Sequence, residues 1–163
     1  MVIRALDERP NDVALGRLLV REYVDATFAE SEAYGEPVPR GAADQLFPEL
    51  VDFAAVYARP SSVYLVAEIA GGVAGGVGLL PLDSRTCEMK RLWVRAPHRG
   101  AGVARALCVA LVDHARALGY QRMALDVVPQ RTAAIALYRS LGFTDAPPSH
   151  DYPFSMTFLA RDL

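Results

Sequence analysis

Apolar positions along this chain switch repeatedly between a period of two and a period near 3.6, the mark of strands interleaved with amphipathic helices. Residues 2–6 predict a short first strand. Pro10-Asn11-Asp12 predicts a helix start whose apolar stripe includes Val13, Leu15, Leu18, Leu19 and Val24. A polar, proline-containing connection over 29–41 precedes a less regular helical region through Leu46, Leu50, Phe53 and Val56, which ends before Arg59-Pro60. Residues 62–69 and 73–80 predict a hairpin around Gly71-Gly72, since paired glycines tolerate the positive φ of tight turns. A strand over 87–94, a helix over 102–118 closed by Gly119 and a strand over 121–128 come next, an order that predicts a crossover between parallel neighbours. Thr132 is placed to cap a helix that stops at Gly142 with Phe143 folding back, and residues 155–159 predict a last strand. No repeat and no long linker divides the chain, so the pattern predicts one mixed α/β domain over 1–163.

Composition narrows this picture. A chain of 163 residues with 52% hydrophobic and 22% charged content can bury a sizeable core. A net charge of −2 gives no support to nucleic-acid or membrane-surface binding. No apolar run is long enough to span a bilayer and the N-terminus lacks a signal peptide's apolar core, so the expected location is the cytoplasm. Among the basic residues only Lys90 is lysine, an imbalance that fits genomic composition. Cys87 and Cys108 form neither a disulfide framework nor a ligand spacing and read as small buried hydrophobes. His98, His114 and His150 are scattered, with no pair at i, i+4, so no metal site is expected. No G-x-S-x-G elbow is present for serine chemistry. The glycine run over 71–78 lacks a following helix and a Lys-Ser or Lys-Thr pair, and reads as turn and strand glycines.

The chemistry concentrates in residues 87–106, CEMKRLWVRAPHRGAGVARA, where a strand pattern runs into a turn that opens a helix. Arg99, Gly102 and Ala104 follow the spacing R-x-x-G-x-A, and Val103, Leu107, Leu111, Ala115 and Leu118 then recur at helical intervals. Gly100 and Gly102 therefore sit at a helix N-terminus, where unpaired amides and the dipole favour an anion such as phosphate. This motif resembles the acyl-CoA cradle of the GNAT superfamily of N-acetyltransferases. The segment from Thr132 to Phe143, TAAIALYRSLGF, is similar to that superfamily's A-x-x-L-Y helix followed by G-F. Together they cover about residues 62–145.

The resemblance implies a central, mostly antiparallel sheet with one splayed parallel pair and helices on both faces. It implies acetyl-CoA as co-substrate and no metal. The pantetheine arm would bond to main chain near Leu92, Trp93 and Val94, and Arg99, Gly100, Ala101, Gly102, Val103 and Ala104 would hold the pyrophosphate, with Arg105 as charged partner. Arg131 stands where the family often has asparagine and is carried over to the cofactor site. Tyr138 occupies the tyrosine position that protonates the departing thiolate, and as a residue it also suits a core aromatic on the face of Ala134, Leu137 and Leu141. Glu88 lies on the strand where the family often places its base; a strand carboxylate paired with Arg91 or Arg105 is the alternative.

An amine acceptor, on a small molecule or a peptide, follows from the resemblance, as does a frequent homodimer. Residues 22–52 hold Glu22, Asp25, Glu30, Glu32, Glu36, Asp44, Glu49 and Asp52 against Arg40, a surface that would favour a cationic acceptor, although helix faces exposed to solvent are commonly acidic. The segment 147–153 either borders the acceptor or crosses the surface. Two other readings are a non-catalytic acyl-CoA-binding regulatory domain and a nucleotide-phosphate binder.

Overall fold

A computed structural model describes residues 1–35, 41, 43–70, 72–152 and 154–163. Its frame is a seven-stranded sheet in the order β1-β2-β3-β4-β5-β7-β6. The strands are β1 (Val2–Ala5), β2 (Val63–Ile69), β3 (Gly72–Pro81), β4 (Thr86–Val94), β5 (Arg122–Val127), β6 (Thr144–Asp145) and β7 (Thr157–Asp162). β4 and β5 run parallel, and every other neighbouring pair is antiparallel. This matches the expected mostly antiparallel sheet with one parallel pair.

Alternation along the strands builds two cores. Cys87, Met89, Met123, Leu125 and Leu159 pack against α4 (Val103–Ala117) and α5 (Thr132–Ser140). Tyr64 and Val66 pack on the opposite face with Leu19, Val20, Val24 and Phe28 of α1 (Pro10–Ala33), and with α3 (Phe53–Val56) through Phe53. Each fully buried Leu or Met contributes about 1.5–3 kcal/mol of transfer free energy. The glycines of β3 make room for rings, because a Cβ on Gly76 would lie 2.5 Å from Tyr64 and one on Gly78 2.4 Å from Tyr57.

Helix ends follow local chemistry. Gly119 and Gly142 both take positive φ, and each closes its helix with the paired bonds of a Schellman motif: Tyr120 N–H to Ala115 and Gly119 N–H to Arg116 for α4, Phe143 N–H to Tyr138 and Gly142 N–H to Arg139 for α5.

Several expectations need correction. α1 continues through Ala33, because Phe28 is buried and Glu30 accepts from Arg131 just before α5; 29–33 therefore belong to the helix and not to the connection. Leu18 is 49% exposed and lies off the buried stripe. The second helical region is broken into α2 (Ala43–Leu46), a 3₁₀ turn at Pro48–Leu50 and α3, with Pro48 unable to continue a helix from α2. Gly72 pairs with Ile69 inside the sheet, while Gly71 lies outside the described residues. Thr132 is the first residue of α5, and Arg131 precedes it without a side-chain cap. The last strand runs to Asp162, and the short β6 was not expected.

Asp12 in the first turn of α1 ties the helix to β1: Arg4 donates to both of its carboxylate oxygens, at 2.8 and 3.0 Å. The hydrogen bonds from Arg4 outweigh burial and hold this carboxyl at about 2, below its ordinary 3.8. A depressed pKa stabilises the fold above the unfolded value and ceases to do so as pH falls through the folded one. The Asp12→Asn variant should therefore melt roughly 2–4 °C below wild type at pH 7, with the gap narrowing between pH 4 and 2 in thermal scans; a gap independent of pH would show that Asp12 acts by packing alone.

Candidate active site

Gly100 and Gly102, at φ 75° and 78°, adopt conformations that side chains resist, and nothing lies within 4 Å of where their Cβ atoms would be. Gly102 precedes α4 without a side-chain cap, so the first amides of a 15-residue helix are left for a ligand. The cleft in front of them is lined by Leu92, Trp93 and Val94 of β4, by His98 to Gly100 and Gly102 to Arg105, and by residues 130–134 and Leu137. Of the residues expected at the cofactor, only Ala101 is missing from this wall. Arg99 donates to the Val94 carbonyl at 2.9 Å and stacks over Trp93 at 4.9 Å. Arg105 donates to Ser140 at 2.7 Å.

Arg131 lines the cleft and has its guanidinium engaged within the protein. Its guanidinium donates to Glu30 and to Thr27 Oγ1, each at 2.8 Å, and lies over Tyr23, so it clasps α1 to the start of α5.

β4 carries the second element of the site, a bulge. Gly76 pairs with Trp93 and Gly78 with Lys90, so Val77 alone faces both Arg91 and Leu92. Arg91 has φ 58°, the one positive value among the described non-glycine residues. It is held there by Glu49, fully buried, whose Oε1 accepts from Nε at 2.5 Å, by the Leu46 carbonyl at 2.7 Å, and by the Phe47 ring 4.4 Å below. Burial pulls the guanidinium pKa down and Glu49 pulls it further up, so Arg91 stays charged. Glu49 Oε2 and the hydroxyls of Tyr57 and Tyr64 are buried polar atoms without a partner.

The parallel pair opens at this level. β4 and β5 are paired only from Thr86–Arg122 to Glu88–Ala124. Into the fork reaches Lys90, the single lysine of the chain, donating to Asp126 Oδ2 at 2.6 Å and lying 3.1 Å from Glu88. His150 Nε2 meets both oxygens of Glu88 at 2.9 and 3.0 Å, and Tyr152 O–H donates to Asp126 Oδ2 at 2.9 Å. Burial opposes the charge on Lys90, but Asp126 and Glu88 raise its pKa overall; burial likewise opposes the Asp126 carboxylate, and Lys90 and Tyr152 lower it overall. Burial and Asp126 push Tyr152 up to about 12, so it donates. Glu88, Asp126 and His150, residues of metal-ligand type, thus come within 4.8 Å of one another, with the Lys90 ammonium between the two carboxylates.

A second cavity opens on the α1 side, lined by Tyr23, Phe28, Phe47, Arg91, Asp126 and Tyr152 among others. It shares Glu30, Tyr34 and Gln130 with the glycine-lined cleft. Tyr138 and Glu88 stand in neither wall. Tyr138 packs edge-on to Phe143 at 6.0 Å, next to Ala134 and Leu137 of the cleft, and burial raises its phenol well above the ordinary value, so it remains protonated. Burial pushes both thiols up to about 12, which leaves Cys87 and Cys108 as core residues and not nucleophiles.

The Acetyltransferase (GNAT) family model matches residues 23–143. This chain belongs to the GNAT family. Over 146 residues it is 31% identical to an uncharacterized N-acetyltransferase of Schizosaccharomyces pombe, covering 88% of this chain and 83% of that one. It is 36% identical over 99 residues to the uncharacterized N-acetyltransferase YjgM of Escherichia coli, and 41% identical over 87 residues to human N-acetyltransferase 8B. Those two alignments span 59% and 38% of the relatives' lengths. The PaiA N-acetyltransferase of Thermoplasma acidophilum, solved in complex with coenzyme A, superposes with a TM-score of 0.72 over the full length of both chains at 17% identity, a likeness of fold.

Two runs of like charge in the sequence, bases over 88–105 and acids over 22–52, are partly paired off in the fold. The basic excess between 88 and 105 is largely cancelled, since Lys90 meets Glu88 and Asp126, Arg91 meets Glu49 and Arg95 meets Glu22. Three acids of 22–52 are likewise paired, Glu22 with Arg95, Glu49 with Arg91 and Glu30 with Arg131, and Asp52 caps α3; Glu36 and Arg40 lie outside the described residues. Neither Arg91 nor Arg105 is the partner of Glu88. Sequence reasoning does not single out Asp126, and it names Glu49 only as one acid of 22–52; His150 and Tyr152 fall in the 147–153 segment, for which it leaves open an acceptor border or a surface crossing.

Removing Glu49 alone leaves a buried guanidinium uncompensated. Glu49→Ala should cost about 3–5 kcal/mol in urea unfolding, whereas Glu49→Met combined with Arg91→Met should recover much of that stability while losing the bulge. A single-variant cost below about 1 kcal/mol would show that the pair does not hold β4.

Proposed function

We propose that the chain transfers an acetyl group from acetyl-CoA to a primary amine of a small molecule or peptide, by direct attack in a ternary complex. The observation that carries this is the convergence of two cavities on one bulge: the glycine-lined cleft takes in Leu92, the aromatic cavity takes in Arg91, and both share Glu30, Tyr34 and Gln130. Donor and acceptor can then occupy the site together and meet where β4 and β5 part.

A free alkyl amine, with a pKa of about 10.4, is almost wholly protonated at neutral pH and must lose a proton before it attacks. Glu88 receives it. Asp126 in the cavity wall, Lys90, Glu88 and His150 form a continuous chain at 2.6, 3.1 and 2.9 Å, and the His150 side chain, 37% exposed, passes the proton to water. The amine lone pair forms the new C–N bond while a main-chain amide at the bulge polarises the thioester carbonyl. The C–S bond breaks, Tyr138, still protonated, supplies the proton to the thiolate, and the second proton, shed by the acylated nitrogen as the amide forms, restores the phenol. Val103, Ala104 and Arg105 hold the pyrophosphate by their amides, with Arg99 and Arg105 as the cations.

Mass spectrometry across a panel of amines, amino acids, polyamines, aminoglycosides and peptides tests the reaction. Tyr138→Phe should lower kcat by about ten- to a thousandfold with acetyl-CoA affinity retained. Unchanged turnover would remove Tyr138 from the chemistry. Glu88→Gln should lower kcat by about a hundredfold with a smaller effect on KM, and a variant as active as wild type would move the base elsewhere. Intact acetyl-CoA binding with no acetylation of any amine would favour a regulatory role.

A further inference from the structure

The aromatic cavity has a chemistry of its own. Tyr23, Phe28, Phe47, Tyr152 and Phe154 line it, with Tyr34 where it joins the cofactor cleft. Tyr23 and Phe28 each meet Phe47 edge-on at 6.3 Å, and Tyr152 lies 5.4 Å from Phe154. Such walls recognise an apolar body by burial of area and a cation by the faces of the rings.

The charges in and behind these walls are almost fully paired. Arg91 is neutralised by Glu49 and Glu30 by Arg131. The fork differs: two carboxylates, Glu88 and Asp126, share the one ammonium of Lys90, which leaves one negative charge when His150 is neutral. Lys90 and Tyr152 both bond to Oδ2 of Asp126, and Oδ1 has no hydrogen bond among the described residues. Of this cluster Asp126 and Tyr152 reach the cavity.

We propose, building on the acetyl-transfer reading, that the acceptor is a monoamine carried on a planar or bulky apolar body. Its ammonium docks on Asp126 Oδ1, one positive charge against one negative, and its body lies among the rings. A second ammonium, as in a polyamine, would find ring faces but no second uncompensated carboxylate, so its desolvation would be only partly offset and the acceptor with one charge is favoured.

Steady-state acetylation of 2-phenylethylamine and of spermidine, with calorimetric binding of acetyl-CoA as the control for an intact cofactor site, tests this. The kcat/KM for 2-phenylethylamine should exceed that for spermidine by about a hundredfold. Asp126→Asn should raise the KM for 2-phenylethylamine about tenfold or more with acetyl-CoA affinity unchanged, and Phe154→Ala, outside the charged cluster, should also raise KM while sparing kcat. Equal or better use of spermidine, no use of 2-phenylethylamine by protein that binds acetyl-CoA, or an unchanged KM in both variants would overturn the assignment of acceptor class and leave acetyl transfer to other amines standing. Failure to bind acetyl-CoA would overturn the acetyl-transfer reading and this inference with it.

Discussion

A guanidinium buried in the middle of a strand must find a counter-charge, and the way Arg91 finds one organises this molecule. Glu49, on the short 3₁₀ turn before α3, reaches across to Arg91, and Phe47 and the Leu46 carbonyl complete the seat. The backbone of β4 takes φ 58° there and bulges, so two residues face one on β3. Beyond the bulge β4 pairs with β3 again through Trp93 and Val94, and at the bulge Arg91 lines one cavity and Leu92 the other. The segment between α1 and β2, irregular by pattern, is fixed because it carries the acid.

The opening of β4 from β5 follows a similar logic. Past Glu88 and Ala124 the strands no longer share a ladder, and the space between them is occupied by an ion cluster instead of by backbone hydrogen bonds. Lys90, compact and flexible, lies between two carboxylates where an arginine's planar fork would demand a different geometry. A chain whose basic residues are otherwise arginine thus keeps its lysine at this fork. His150 and Tyr152, from the connection between β6 and β7, close the cluster from the other side.

Much of the site was legible because it is local. The glycine turn, the start of α4 and the apolar stripes of α4 and α5 each lie within a few residues of one another, and short-range geometry dictates them. Arg99 to Arg105 accordingly line the cleft, with Ala101 as the exception. Glu88 is marked by the strand position that the GNAT resemblance gives it, but its partners are not legible: Lys90 is two residues away, whereas Asp126 and His150 are brought in by the parallel pairing and by a loop. The charge runs misled because a run of like sign along the chain says nothing about the opposite sign folded against it. Glu22, Glu30 and Glu49 looked like an acidic surface and are the counter-ions of Arg95, Arg131 and Arg91.

The sequence by itself determined the alternation of strands and helices, the two Schellman closures at Gly119 and Gly142, and the uncapped glycine turn that starts α4, since each depends on conformational preference and periodicity within one segment. The tertiary structure alone decided which acids meet which bases, where β4 bulges, and how far α1 extends beside α5. Those outcomes depend on contacts between residues as far apart as Glu49 and Arg91 or Glu88 and His150, and buried charges are settled by whichever partner the whole fold brings within reach.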